Sequence, residues 1–220
     1  MTRNLKALGL ALVAVFAMSA VMASAASAES AFKFKSEGTP TKLTGKQHAG
    51  NDVFTTHTGT VSCNEAKYSG EQVGTEVSEV TVTPVYSECK AFGLFNVPVT
   101  TNGCVYTFKT GTKTGATYAG SVSIVCPEGK VIEVEAPGCT VTVGSQANVG
   151  GITFTNIGTT TTREVTLDVN INTLKYEEHR PFFGICSTNT VPTTGGTYVG
   201  AGVVTGSNPV TNAHLGIFVG

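Results

Sequence analysis

Hydrolysis of a glycosidic bond needs two carboxyl groups facing each other across a cleft. The sequence offers three candidates: Asp168 within an alternating run, and Glu133 and Glu135 two residues apart. Residues i and i+2 of a strand share a face, so Glu133 and Glu135 point the same way. The solvated face of an ordinary strand has the same pattern, so these residues define an alternative reading and not a site. Serine chemistry lacks its turn, because no G-x-S-x-G occurs and Gly144-Ser145 has no glycine at the required step. A metal would need three or four converging ligands. His48 and His57 stand in polar, loop-like sequence, Glu177-Glu178-His179 lies beside Arg180, and nothing in their spacing or that of His214 brings them together. No catalytic, cofactor-binding or metal-ligating residue is therefore assigned. Thr-x-Thr at Thr81, Thr140 and Thr153 is too irregular for an ice-binding array and reflects the β propensity of threonine.

Two apolar clusters each lie beside a cysteine in turn-rich sequence: Phe92-Gly93-Leu94-Phe95 and Pro181-Phe182-Phe183-Gly184-Ile185. Either each loop tucks its aromatics under the edge of the fold, or Phe92, Leu94, Phe95, Phe182 and Phe183 form the leading interaction patch.

The six cysteines, Cys63, Cys89, Cys104, Cys126, Cys139 and Cys186, form an even set. None lies at C-x₂₋₄-C metal spacing, so three disulfides are expected. If Val131 to Glu135 is the middle strand of a meander, Cys126 and Cys139 lie at its opposite ends. A strand rises ~3.3 Å per residue, which puts them beyond the ~7 Å Cα limit for a bridge. A hairpin turning near Gly115 places Cys104 opposite Cys126. The expected pairs are Cys63–Cys89, Cys104–Cys126 and Cys139–Cys186.

Export explains why cysteines would be oxidised. Arg3 and Lys6 precede an apolar run from Ala7 to Ala23, and Ala26-Ser27-Ala28 fits a signal peptidase. The expectation is a signal-peptide helix over residues 1–28, cleavage after Ala28, and a single extracellular domain over residues 29–220. A lipid anchor needs a cysteine directly after the cut, and the first is Cys63. No stable membrane insertion is expected once the signal is removed. Loss of Arg3 and Lys6 takes the formal net charge from −1 to about −3, with no basic patch for nucleic acid.

The elements that must position these residues are strands. Charged residues are only 13% of the chain, about half the usual share, and Thr and Val take their place. Strand patterns recur at Phe32–Lys35, Val53–Thr56, Thr60–Cys63, Val80–Tyr86, Cys104–Phe108, Tyr118–Cys126, Val131–Glu135, Ile152–Thr155, Tyr198–Thr205 and Leu215–Val219. Pro84 marks an edge or bulge. The longest run, Val165 to Asn172, alternates at every step, then slips phase at Thr173-Leu174 to leave Leu174 and Tyr176 on a new parity, as a β-bulge would. Tyr-x-Gly recurs at Tyr68, Tyr118 and Tyr198 without a fixed period, so no solenoid is indicated. No capped helical pattern follows residue 28. The fold class is all-β, an antiparallel β-sandwich stapled by disulfides, with a closed β-barrel as the alternative. An outer-membrane barrel shares the alternation, but the polar threonine faces and the cysteines favour a water-soluble domain.

The segments Gly59–Cys63, Val80–Gly93, Asn102–Phe108, Cys126-Pro127 and Pro137–Cys139 together resemble secreted β-rich proteins of soil actinobacteria, over most of the chain from Phe32 onward. That group has no assigned activity, so the resemblance implies a compartment and a fold class and transfers no site residues. The sequence therefore points to a secreted, extracellular or envelope-associated domain, non-enzymatic, needing no cofactor, that binds an extracellular protein or polysaccharide or serves structurally. The alternative is an extracellular, glycosidase-like hydrolase using a carboxylate pair on a sheet face.

Overall fold

Alternating apolar and polar residues form the inner and outer faces of a barrel in the computed structural model, which describes residues 32–180, 184, 186 and 192–220. The expected export segment, the expected cut after Ala28, and Phe182 and Phe183 lie outside the described residues. The first strands in chain order are β1 (Phe34–Ser36), β2 (Thr41–Gln47), β3 (Asp52–Thr55), β4 (Thr60–Gln72), β5 (Glu76–Val77), β6 (Glu79–Ala91), β7 (Phe95–Asn96), β8 (Val99–Thr100) and β9 (Val105–Thr114). They are followed by β10 (Thr117–Val125), β11 (Ile132–Ala136), β12 (Cys139–Val143), β13 (Gln146–Ile157), β14 (Glu164–His179), β15 (Thr193–Ser207), β16 (His214–Leu215) and β17 (Ile217–Val219). Among the described residues there is no α-helix, only a 3-10 turn over Thr160–Thr162.

Eight antiparallel strands close on themselves in the order β15-β2-β4-β6-β9-β10-β13-β14 and back to β15. Closure rests on β15, which pairs with β14 from Val165↔Val204 to Tyr176↔Thr193 and with β2 from Gly202↔Gln47 to Ser207↔Lys42. This corrects the sandwich expectation in favour of the barrel alternative. A sandwich leaves edge strands, whereas here the first and last long strands find each other and both edges vanish. A period of two is common to both architectures, so the sequence pattern could not separate them.

Inward positions are apolar: Leu43 on β2, Val82 on β6, Phe108 on β9, Val122 and Ile124 on β10, Ile152 and Phe154 on β13, and Val165, Leu167 and Ile171 on β14. Outward neighbours are polar, such as Lys42, Thr44 and Lys46 on β2 and Thr166, Asp168 and Asn170 on β14. That is the reverse of the apolar-out, polar-in arrangement of outer-membrane barrels. No helix of the described residues is long and apolar enough to cross a membrane. On β14 the register shifts between Ile171 and Leu174 and again before Tyr176. The bulge there turns Leu174, Tyr176 and Glu178 inward. Pro84 sits on β6 just past Val82↔Tyr106, the last β6–β9 pair, where its missing N–H breaks no ladder.

Each end of the barrel carries a small sheet. At one end, β1 pairs with β5 and β17, and the Phe34 ring meets Phe154 edge-on at 5.2 Å. Gln72 braces this cap by donating to Ser36 Oγ at 3.1 Å and to the Gly74 carbonyl at 3.0 Å. Asn156 holds β17 through paired 2.8 Å bonds to Val219. At the other end, β8, β11 and β12 extend from the last residues of β14. The expected meander does not form, since β10 pairs with β9 and β13 while β11 pairs with β12 and β8. The chain leaves the barrel after Cys126 to build this second sheet. The disulfides are Cys63–Cys89, Cys104–Cys126 and Cys139–Cys186, the three expected pairs. All three lie at this second end, where strand ends and the appended sheet would otherwise part.

Candidate functional site

Residues that pack the barrel leave two cavities along its axis. The larger, of about 100 Å³, lies towards the β1–β17 cap and is walled by Val82, Phe108, Val122, Ile152, Phe154 and Leu167, among others. The smaller, of about 60 Å³, lies towards the β11–β12 sheet and is lined by Val61, Val99, Ile132, Val134 and Val143. Tyr106, Ile124, Leu174 and Tyr198 border both. At this waist the interior turns polar. Tyr106 and Tyr86 hydroxyls lie 3.0 Å apart, Tyr86 and Tyr198 3.2 Å, and Tyr198 and Tyr68 3.4 Å. Tyr68 Oη then donates to Asp52 Oδ2 at 3.2 Å. Four of the six tyrosines thus form one hydrogen-bonded belt ending on one carboxylate.

Strand register sets the belt. Tyr68 (β4) pairs with Pro84 beside Tyr86 (β6), Tyr106 (β9) pairs with Val82 on the other side of β6, and Tyr198 (β15) pairs with Phe54 of β3. β2 and β3 occupy one slot between β15 and β4, and Asp52 opens β3 just after the break. Tyr-x-Gly places its glycine on the same inward face as its tyrosine. At Gly200 this has a direct consequence, because a Cβ there would overlap the Asp52 carboxylate. At Gly120 a Cβ would meet the Phe154 ring instead. The motif is how this barrel makes room for large inward side chains.

Asp52 is 3% exposed. Burial pushes its pKa up to about 6, against the hydrogen bonds from Tyr68 and Tyr198, which pull it down. No Lys, Arg or His is among the groups acting on it. The belt tyrosines are all raised above their ordinary value, first by burial and then by neighbouring belt members and Asp52. They stay protonated near neutrality, so the belt offers hydroxyl groups and no phenolate nucleophile.

The residues singled out from sequence are dispersed over the outer surface. Asp168 faces solvent on β14 between Thr153 and Ala201. Glu133 and Glu135 share the outer face of the β11–β12–β14 sheet with Glu177 and His179, which pair at 3.4 Å. His48, His57 and His214 are exposed on separate segments. No group of three or more His, Cys, Asp or Glu positioned to hold a metal occurs among the described residues. The Phe92 cluster is split. Phe92 packs over Gly59 against the core, while Leu94 and Phe95 are exposed, at 77% and 46%. Sequence reasoning missed both buried carboxyl groups. Glu178, 1% exposed, accepts hydrogen bonds from Thr58 Oγ1 at 2.6 Å and Thr58 N at 3.3 Å, which docks the β3–β4 turn. The inward phase after the β14 bulge was the available signal for Glu178, and Asp52 had none.

No protein family, curated protein or solved structure gives a match to this chain. The chemistry must be read from the site alone. An apolar chamber with three tyrosines of the belt in its lining can hold a small apolar molecule.

Proposed function

We propose that this protein is a secreted, non-enzymatic binding domain that holds a small, largely apolar molecule inside its barrel. The observation that carries this reading is the cavity of about 100 Å³, apolar on its walls, with Tyr68, Tyr106 and Tyr198 of the belt in its lining. A 150 Å³ apolar cavity in another protein stays dry and takes benzene or xenon, so the volume here suits a ligand of a few non-hydrogen atoms. Three disulfides support an oxidising, extracellular setting. Exposed Leu94 and Phe95 offer an outer contact for an envelope protein or polysaccharide.

Native mass spectrometry of oxidised protein from culture supernatant tests the reading. The chain is expected to begin at Glu29 and to carry an adduct released on denaturation. Val122→Phe, which fills the cavity, is expected to abolish the adduct. If the supernatant protein carries no adduct and neither cyclopentane nor benzene raises its melting temperature, the binding reading fails. If the protein stays with membranes and retains Met1, the export reading fails.

Hydrolysis keeps one supporting observation. Glu133 pairs with Thr142, and Thr142 with Glu177, so two carboxylates flank one threonine on a sheet face. Two strand spacings set their backbones roughly 9–10 Å apart, at the upper limit for an inverting pair. Release of reducing sugar from envelope polysaccharide that is lost in Glu133→Gln would favour this second reading.

A further inference from the structure

The belt is a chain with a direction. It has four consecutive links: Tyr106 to Tyr86, Tyr86 to Tyr198, Tyr198 to Tyr68, and Tyr68 to Asp52. Four hydroxyl hydrogens are available to make them, one from each tyrosine. An ionised carboxylate can only accept, so Tyr68 must donate to Asp52. That leaves Tyr198 to donate towards Tyr68, Tyr86 to donate to Tyr198, and Tyr106 to donate to Tyr86. Tyr198 also acts on the carboxylate directly, and a proton aimed there instead leaves the rest of the order unchanged. Every hydrogen then runs towards β3. Tyr106, whose single side-chain hydrogen-bonding partner among the described residues is Tyr86, ends the chain with its hydrogen committed and its oxygen lone pairs open. It borders both cavities. Outside the lining of both cavities, Gln47 Oε1 is a buried acceptor with no donor among the described residues.

We infer that the ligand of the barrel is a small alicyclic or aromatic alcohol or another apolar molecule with a single hydrogen-bond donor, and that Tyr106 Oη accepts its hydrogen. This rests on the proposed binding reading and adds to it the chemical class. A ligand that can only accept, such as a ketone or an ether, would face a lone pair with a lone pair. Selectivity follows from the fixed polarity of the belt, since a buried polar group left unpaired is costly. The polarity lasts while Asp52 is ionised. A proton on Asp52 adds a fifth hydrogen to the chain and frees it to turn round, so Tyr106 can donate. The titratable groups facing Asp52 are Tyr68 on β4 and Tyr198 on β15, with Tyr86 on β6 and Tyr106 on β9 further along. All four remain neutral through the range in which Asp52 titrates.

Three probes of equal ring size separate the outcomes: cyclopentanol donates and accepts, cyclopentanone only accepts, and methylcyclopentane does neither. Each is titrated into the mature, oxidised protein and followed by methyl NMR of Val122, Ile124 and Leu167. At pH 8 cyclopentanol is expected to bind about tenfold tighter than cyclopentanone, the size of one well-made buried hydrogen bond. At pH 4.5 the gap is expected to narrow to less than threefold. Tyr106→Phe is expected to erase the preference at pH 8 and leave methylcyclopentane binding unchanged. Equal affinities of alcohol and ketone at pH 8, or a preference for the ketone, would overturn the assignment while leaving the cavity reading in place. Failure of all three probes to bind would overturn both. The wild-type series decides the matter even if the variant does not fold.

Discussion

Replacing Asp52 by asparagine removes the one charge buried in the belt and keeps its shape. Asp52 has a native pKa of about 6 against 3.8 for an unperturbed aspartate, so the folded protein holds the proton more tightly than the unfolded chain. Stability therefore falls as pH rises through this interval. The contribution of Asp52 is fully present below about pH 4 and lost by the time pH has passed about 6. At ~1.4 kcal/mol per unit the ceiling is ~3 kcal/mol, and relaxation of the site around the ionised carboxylate brings the expected effect to roughly 2 kcal/mol. Asp52→Asn has no such titration. Urea unfolding of both proteins at half-unit steps from pH 4 to pH 8 is the assay, with the wild-type minus variant difference cancelling groups common to both. The difference is expected to shift by about 2 kcal/mol against the wild type between pH 4 and pH 7.5, or roughly 4–8 °C in melting temperature for a domain of this size. Parallel curves, or a wild type that gains on the variant as pH rises, would refute the placement of an unpaired carboxylate in the interior.

Three further outcomes follow from single contacts. Gly200→Ala should cost at least about 2 kcal/mol because its Cβ overlaps the Asp52 carboxylate, and urea unfolding should show much of that cost recovered in the Asp52→Ala background. Thr58→Val leaves the Glu178 carboxylate, 1% exposed, short of its 2.6 Å bond; a loss of about 2 kcal/mol is expected, with faster hydrogen exchange at the β3–β4 turn. Replacing Cys139 and Cys186 by alanine opens a loop with a sequence separation of 47 and should lower unfolding free energy by about 4 kcal/mol on the chain-entropy estimate, read by urea titration under non-reducing conditions.

Much of the fold could be read from local pattern. Val165 to Asn172 alternates with its polar residues outward, and its phase slip is a bulge. The hairpin near Gly115 sets Cys104 opposite Cys126. What was missed depends on pairing between distant segments. Thr41–Gln47 forms a barrel strand although its inward positions, Thr41, Leu43 and Gly45, include only one large apolar residue. That is a weak apolar signal, and the glycine gives Tyr68 room to pack opposite. Closure of β15 on both β14 and β2 has no local signature at all. The belt is hidden for the same reason. Its four tyrosines each look like ordinary strand residues, and Asp52 beside Asn51 reads as a loop. Only the order of strands around the barrel brings them together. The Tyr-x-Gly echo was the one visible trace, and it records the space an inward glycine leaves for its neighbours.

Crystals of the oxidised protein under xenon pressure decide whether the barrel encloses an apolar chamber. A xenon atom is expected inside the barrel among Val82, Phe108, Val122, Ile152 and Leu167, with the four belt hydroxyls in line beneath it. A barrel interior closed by its own side chains, with no xenon and with the belt tyrosines turned out of line, would contradict the account.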